Sequence, residues 1–146
     1  MGTFFQDGKS SILNWILWWR VSVEEIERQV KGYDILSVTQ SARGLSMLLL
    51  LSAALIISAL ILATVWPASD YVDVGILGIF AVLVHSGYRW AIIATMVFWT
   101  AEKAVAILSP GMALNPVIAV LWWAVYMRVF WLAFRTETVR AVTSSP

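Results

Sequence analysis

Three long apolar blocks separated by short polar stretches dominate the chain. The first, LSMLLLLSAALIISALILATVW at 45–66, carries no charge. Its length meets the requirement of about 20 residues for a helix that crosses a bilayer. Pro67 follows Trp66 and opens the turn PASDYVDV, so Trp66 reads as an anchor at the membrane–water interface. The second block, 74–100, is longer than a minimal span and predicts a tilted helix. Its continuation AEKAVAIL stops at Ser109, Pro110 and Gly111. Asn115 and Pro116 then read as an N-cap followed by proline at the first helical position, opening a third span over 116–135. Arg135 marks its exit, and the tail TETVRAVTSSP at 136–146 is polar and expected to be mobile.

The region 1–43 has a different pattern. SILNWILWWR, at 11–20, puts Ile12, Trp15, Ile16 and Trp19 on one helical face. It is too short to span and predicts an amphipathic helix lying in the interface, anchored by Trp15, Trp18 and Trp19. A helix packed on a partner protein is the alternative. The opening residues do not read as a secretory signal, because Arg20 and an acidic cluster follow too soon and no small-residue cleavage site ends an apolar run. Next, Ser22 and Glu25 have the spacing of a capping box. Glu24, Glu25 and Glu27 fall in the first turn, and Arg28 and Lys31 in the last, as the helix dipole favours. Gly32 is the expected stop.

Composition agrees with this reading. The chain is 60% hydrophobic and 13% charged, against about 45–50% and roughly 25% for soluble domains. The expected fold class is an all-α integral membrane protein with three transmembrane helices and an N-terminal amphipathic interfacial helix. A net charge of +1 points to no nucleic-acid partner, and the absence of cysteine excludes disulfides and thiolate chemistry. Lys9, Arg20, Arg28, Lys31, Arg43 and Lys103 flank one side of the spans, against Arg135 and Arg140 on the other. Positive-inside counting then gives a cytoplasmic N-terminus and an outside C-terminus. A bacterial inner membrane is assumed from the compact chain without a presequence. A break of the second block at Ser86 and Gly87 would return the C-terminus to the cytoplasm. It would also leave a segment of about 12 residues, too short to cross unless shielded, so the unbroken block is the expectation.

The candidate chemistry lies in VLVHSGYRW, at 82–90. On an unbroken helix, His85 and Arg89 share a face near the bilayer midplane. Arg there costs roughly 2.5–3.5 kcal/mol on insertion scales, so the face is expected to meet protein or water. Three roles compete: a structural contact between helices or subunits, a polar pathway in a channel or transporter, and a redox site. In the last, His85 would hold haem or a quinone together with a partner chain. No Asp or Glu lies within the spans as drawn. The counter-charge is therefore assigned to another chain, an anionic ligand or a lipid. Arg128 is expected to snorkel towards the near interface beside Trp131, whereas Trp122 and Trp123 pack between helices.

No catalytic constellation, phosphate loop or metal-ligand spacing is present, and no cofactor is expected. The chain reads as a non-catalytic small membrane subunit whose partners are the lipid bilayer and other membrane subunits or copies of itself. A module that recruits a soluble protein through the charged helix after Ser22 is a further alternative.

Overall fold

The computed structural model describes residues 20–65, 67–108 and 116–143. Among them are five α-helices, a short 3-10 turn at Ala68–Asp70, and no strand. Helix α1 is Val23–Lys31, α2 is Ala42–Leu62, α3 is Tyr71–His85, α4 is Arg89–Leu108 and α5 is Pro116–Thr143. Trp15, Trp18, Trp19 and Trp66, with all but the last residue of the helix expected at 11–20 and the N-cap expected at Asn115, lie outside the described residues.

The capping box is formed: Ser22 Oγ accepts from the Glu25 amide at 3.3 Å, and the chain leaves α1 at Gly32. Arg28 pairs with Glu25, as the spacing suggests. Helix α2 starts where Ser41 Oγ accepts from the Gly44 amide. Gly44 is required there, because a Cβ would lie 2.0 Å from the Val38 carbonyl oxygen.

The second apolar block is not one helix. It is broken at Ser86 and Gly87, between α3 and α4. Gly87 sits there at φ +82°, a left-handed conformation that costs glycine little. The Gly87 amide donates to the Val84 carbonyl and the Tyr88 amide to Leu83, which is the Schellman pattern. The Tyr88 carbonyl then accepts from Ala91 and Ile92, so the next helix starts at once. These bonds close the end of α3 and open α4 within one turn.

Each of α2 to α5 packs on its sequence neighbour, and α5 closes the ring against α2. The result is an up-down-up-down bundle. Leu50, Leu77, Ala81, Val84, Ile92, Thr95, Met127 and Phe130 fill its core. Ser46 and Thr95 are buried but satisfied, their hydroxyls donating to carbonyls one turn back. The expected mobile tail is likewise corrected: α5 runs on to Thr143, and Thr136 and Glu137 are buried. The stripe Tyr126, Phe130, Ala133, Glu137 holds one face inward through that extension.

Two helices, Ala42–Leu62 and Pro116–Thr143, are long and apolar enough to cross a membrane, and Tyr71–His85 is a shorter apolar helix. The end of α5 lies beside α1, so α1 and the end of α5 share one end of the bundle rather than opposite ends.

Candidate functional site

The densest polar contacts lie at that shared end. Tyr33, just past α1, donates its hydroxyl to Glu137 Oε1 at 2.7 Å. Arg140 lies one turn further along α5, its Nη1 3.9 Å from Glu137 Oε2. The Tyr33 ring has the Arg43 guanidinium 3.9 Å and the Arg140 guanidinium 3.7 Å from its centroid, both within cation–π range. Arg43 also donates to the Tyr33 carbonyl. Gln29, buried on α1, donates to the Gln40 carbonyl and accepts from the Ala42 amide at 2.9 Å. It thereby satisfies an N–H at the start of α2 that no helical partner could reach.

The interhelical turn closes the cluster. A Cβ on Gly87 would lie 3.0 Å from the Tyr33 hydroxyl and 3.1 Å from Glu137 Oε2. One tyrosine–carboxylate pair therefore joins α1, the start of α2, the α3–α4 turn and the end of α5. A void of about 10 Å³ beside Gln29, Tyr33 and Glu137 has room for about one water. Burial, then the hydrogen bond and charge of Glu137, raise the Tyr33 pKa, and Arg43 and Arg140 oppose them. Tyr33 is held as a neutral donor. The arrangement is a clasp between segments.

The residues singled out from sequence stand elsewhere. His85 ends α3 and is partly buried, and its Nδ1 is enclosed with no hydrogen-bond partner. Arg89 is exposed at the first residue of α4. The two flank a turn at the end of the bundle, and their expected place at the centre of one span is corrected. Arg128 is half-buried within α5, and Trp131 stacks on Phe134 with centroids 5.7 Å apart. Trp123 is half-buried and donates to Thr100 at 3.0 Å, and Trp122 is 54% exposed, so only Trp123 packs between helices as expected. Tyr33, Arg43, Glu137 and Arg140 were not among the candidates. The signal for Glu137 was available, since it continues the apolar stripe of the third span at helical spacing.

The far end of the bundle has the opposite character. A cleft of about 310 Å³ is lined there by Ile57, Pro67, Leu77 and Phe98 with Asp70, Asp73 and Glu102. Lys103 pairs with Glu102 and sits over the Trp99 ring. Among the described residues, no group of three His, Cys, Asp or Glu could hold a metal ion.

No known family, curated protein or solved structure matches the chain.

Proposed function

We propose that this chain is a non-catalytic integral membrane protein, a four-helix bundle that acts as a small subunit of a membrane assembly, either with other chains or with copies of itself. The observation that carries the membrane reading is the outward surface. Only 28% of the apolar window of α2 and 33% of that of α5 is buried within the bundle. A soluble core helix would be mostly buried, whereas these helices turn Leu48, Leu55, Ile56, Ile118 and Leu121 outward. Four crossings by α2 to α5 are the finer form of this reading. Helix α3, with 15 residues, spans about 22 Å at roughly 1.5 Å per residue, and the 3-10 turn lengthens it.

Charge supports an orientation. Arg20, Arg28, Lys31, Arg43, Arg89, Arg135 and Arg140 belong to the clasp end, and Lys103 to the other. Positive-inside counting then favours a cytoplasmic side for α1 and the end of α5, with the acidic cleft outside. The asymmetry is sharper than three spans would give, because Arg135 and Arg140 join the basic side.

The assembly reading draws on α3. A Cβ on Gly75 or Gly78 would meet nothing within 4 Å, and Ile79 and Val82 beside them are exposed. Such a face lets a neighbouring helix approach its backbone closely. The core is filled by side chains, which gives a pathway through a single chain no support.

Alkaline extraction of membranes followed by native mass measurement in mild detergent tests both parts. The protein should stay with the membrane and then run as a complex larger than one chain. Release into the alkaline supernatant would overturn the membrane reading. A retained protein that runs as a single chain would overturn the assembly reading alone.

A further inference from the structure

Helix α3 is short against its neighbours, and the deficit falls at one end. Arg43 and Leu62 on α2 are nineteen residues apart, as are Pro116 and Arg135 on α5. At about 1.5 Å per residue each stretch covers about 28 Å, close to the hydrocarbon core of a bilayer. Half-buried Arg128 lies inside the second stretch, but its side chain is long enough to snorkel. On α3, Asp73 and His85 are only twelve residues apart, about 18 Å.

The basic end of α3 is held at the level of the clasp, since a Cβ on Gly87 would lie 3.1 Å from Glu137 Oε2. The other end therefore stops early. Asp73 and Glu102 line one cleft, which sets them near one level. Helix α4 runs six residues past Glu102 to Leu108, about 9 Å further. Trp99 stacks on Tyr126 and Trp123 donates to Thr100, so antiparallel α5 begins level with the end of α4. Those ends are apolar and exposed at Val105, Leu108, Val117 and Ile118.

The outward stripe of α3 is Val72, Gly75, Ile79 and Val82, all exposed and at helical spacing. Lipid against it meets an apolar length about 10 Å less than α2 and α5 offer. Lysine or arginine bridges such a gap by snorkelling, but aspartate is too short. A short apolar edge is relieved by thinning the bilayer or by association that hides the edge from lipid.

We infer that the outward stripe of α3 pairs with the same stripe of a second copy, and that bilayer thickness sets how strongly. This rests on the membrane and assembly readings above and names the partner and its control. A two-fold axis along the membrane normal puts both stripes at one depth, so one contact hides two short edges. A partner helix of ordinary length would hide one.

The test is energy transfer between donor-labelled and acceptor-labelled full chains, each carrying Thr143→Cys, in phosphatidylcholine vesicles. Acyl chains of about 14, 18 and 22 carbons vary the thickness. Self-association should tighten by about tenfold from the shortest chains to the longest. Asp73→Leu moves the edge out to Asp70, by about 4.5 Å, and should roughly halve that dependence. Gly78→Leu should weaken association at every chain length. Equal association at all three lengths, a full dependence in Asp73→Leu, or wild-type association in Gly78→Leu would each overturn the inference. Chains that associate equally in all vesicles keep the assembly reading and sink only its control by thickness. Copies that never associate, from a protein that runs in a larger native complex, sink the second copy as partner. Release by alkaline extraction marks failure of the membrane reading instead.

Discussion

Gly87 and Thr64 do the same job with different residues. Each ends a helix in the left-handed region, Gly87 at φ +82° and Thr64 at φ +58°. Thr64 carries the same pattern, its amide donating to Ile61 and the Val65 amide to Leu60. A branched side chain there costs about 1–2 kcal/mol. Thr64→Gly should therefore stabilise the protein by about 1 kcal/mol, read as a higher midpoint in denaturant titration. Gly87→Ala should do the reverse by at least about 1 kcal/mol, since its Cβ also crowds Tyr33 and Glu137. Tyr33→Phe should cost about 1.5–3 kcal/mol by leaving a buried carboxylate without its donor. The sign of the pH effect follows from the raised Tyr33 pKa. The folded state keeps the phenol protonated above pH 10, where the unfolded chain loses it. The contribution of Tyr33 is complete below pH 10 and is lost as pH climbs through the folded value. Tyrosinate absorbance, wild type minus Tyr33→Phe, should show this one phenol titrating late; a phenol titrating at its ordinary value would contradict the clasp.

Helix by helix, legibility varied for physical reasons. The α1 signals were all local, so Ser22, Glu25 and Gly32 could be read directly. The apolar blocks gave α2 and the body of α5 because length and composition suffice for a span. The α3–α4 break was misread because apolar content is blind to backbone handedness. A glycine within a hydrophobic run is tolerated in a helix or ends it, and what decides is the packing of Gly87 on Tyr33 and Glu137, partners remote in sequence. The end of α5 was missed for a related reason: its polar composition outweighed a stripe that keeps Glu137 inward. Helix α3 gives the test at this scale. Gly78→Leu fills open space within one chain, so the unfolding midpoint of the isolated chain should stay within about 0.5 kcal/mol of wild type. Its native complex should shrink or dissociate if α3 is the assembly face. Unchanged native mass would move the contact to another helix.

At the scale of the whole molecule, the break at Gly87 changes the topology. An unbroken second block puts α1 and the end of α5 on opposite sides of a membrane; the broken one returns the chain and lets Tyr33 meet Glu137. On the membrane reading proposed above, Arg89 then leaves the midplane for the basic end, and an expensive buried cation becomes an inexpensive interfacial one. The chain has no cysteine, so single substitutions report sidedness without background. The most direct measurement is labelling of Ser37→Cys, Asp73→Cys, Ser86→Cys and Thr143→Cys with a membrane-impermeant thiol reagent, in intact cells and in inverted vesicles. The four-crossing bundle predicts that positions 37, 86 and 143 label together from the cytoplasmic side and position 73 labels from the opposite side. Protection of position 86 from both sides, with position 143 labelled from outside, would contradict it and restore the single long span.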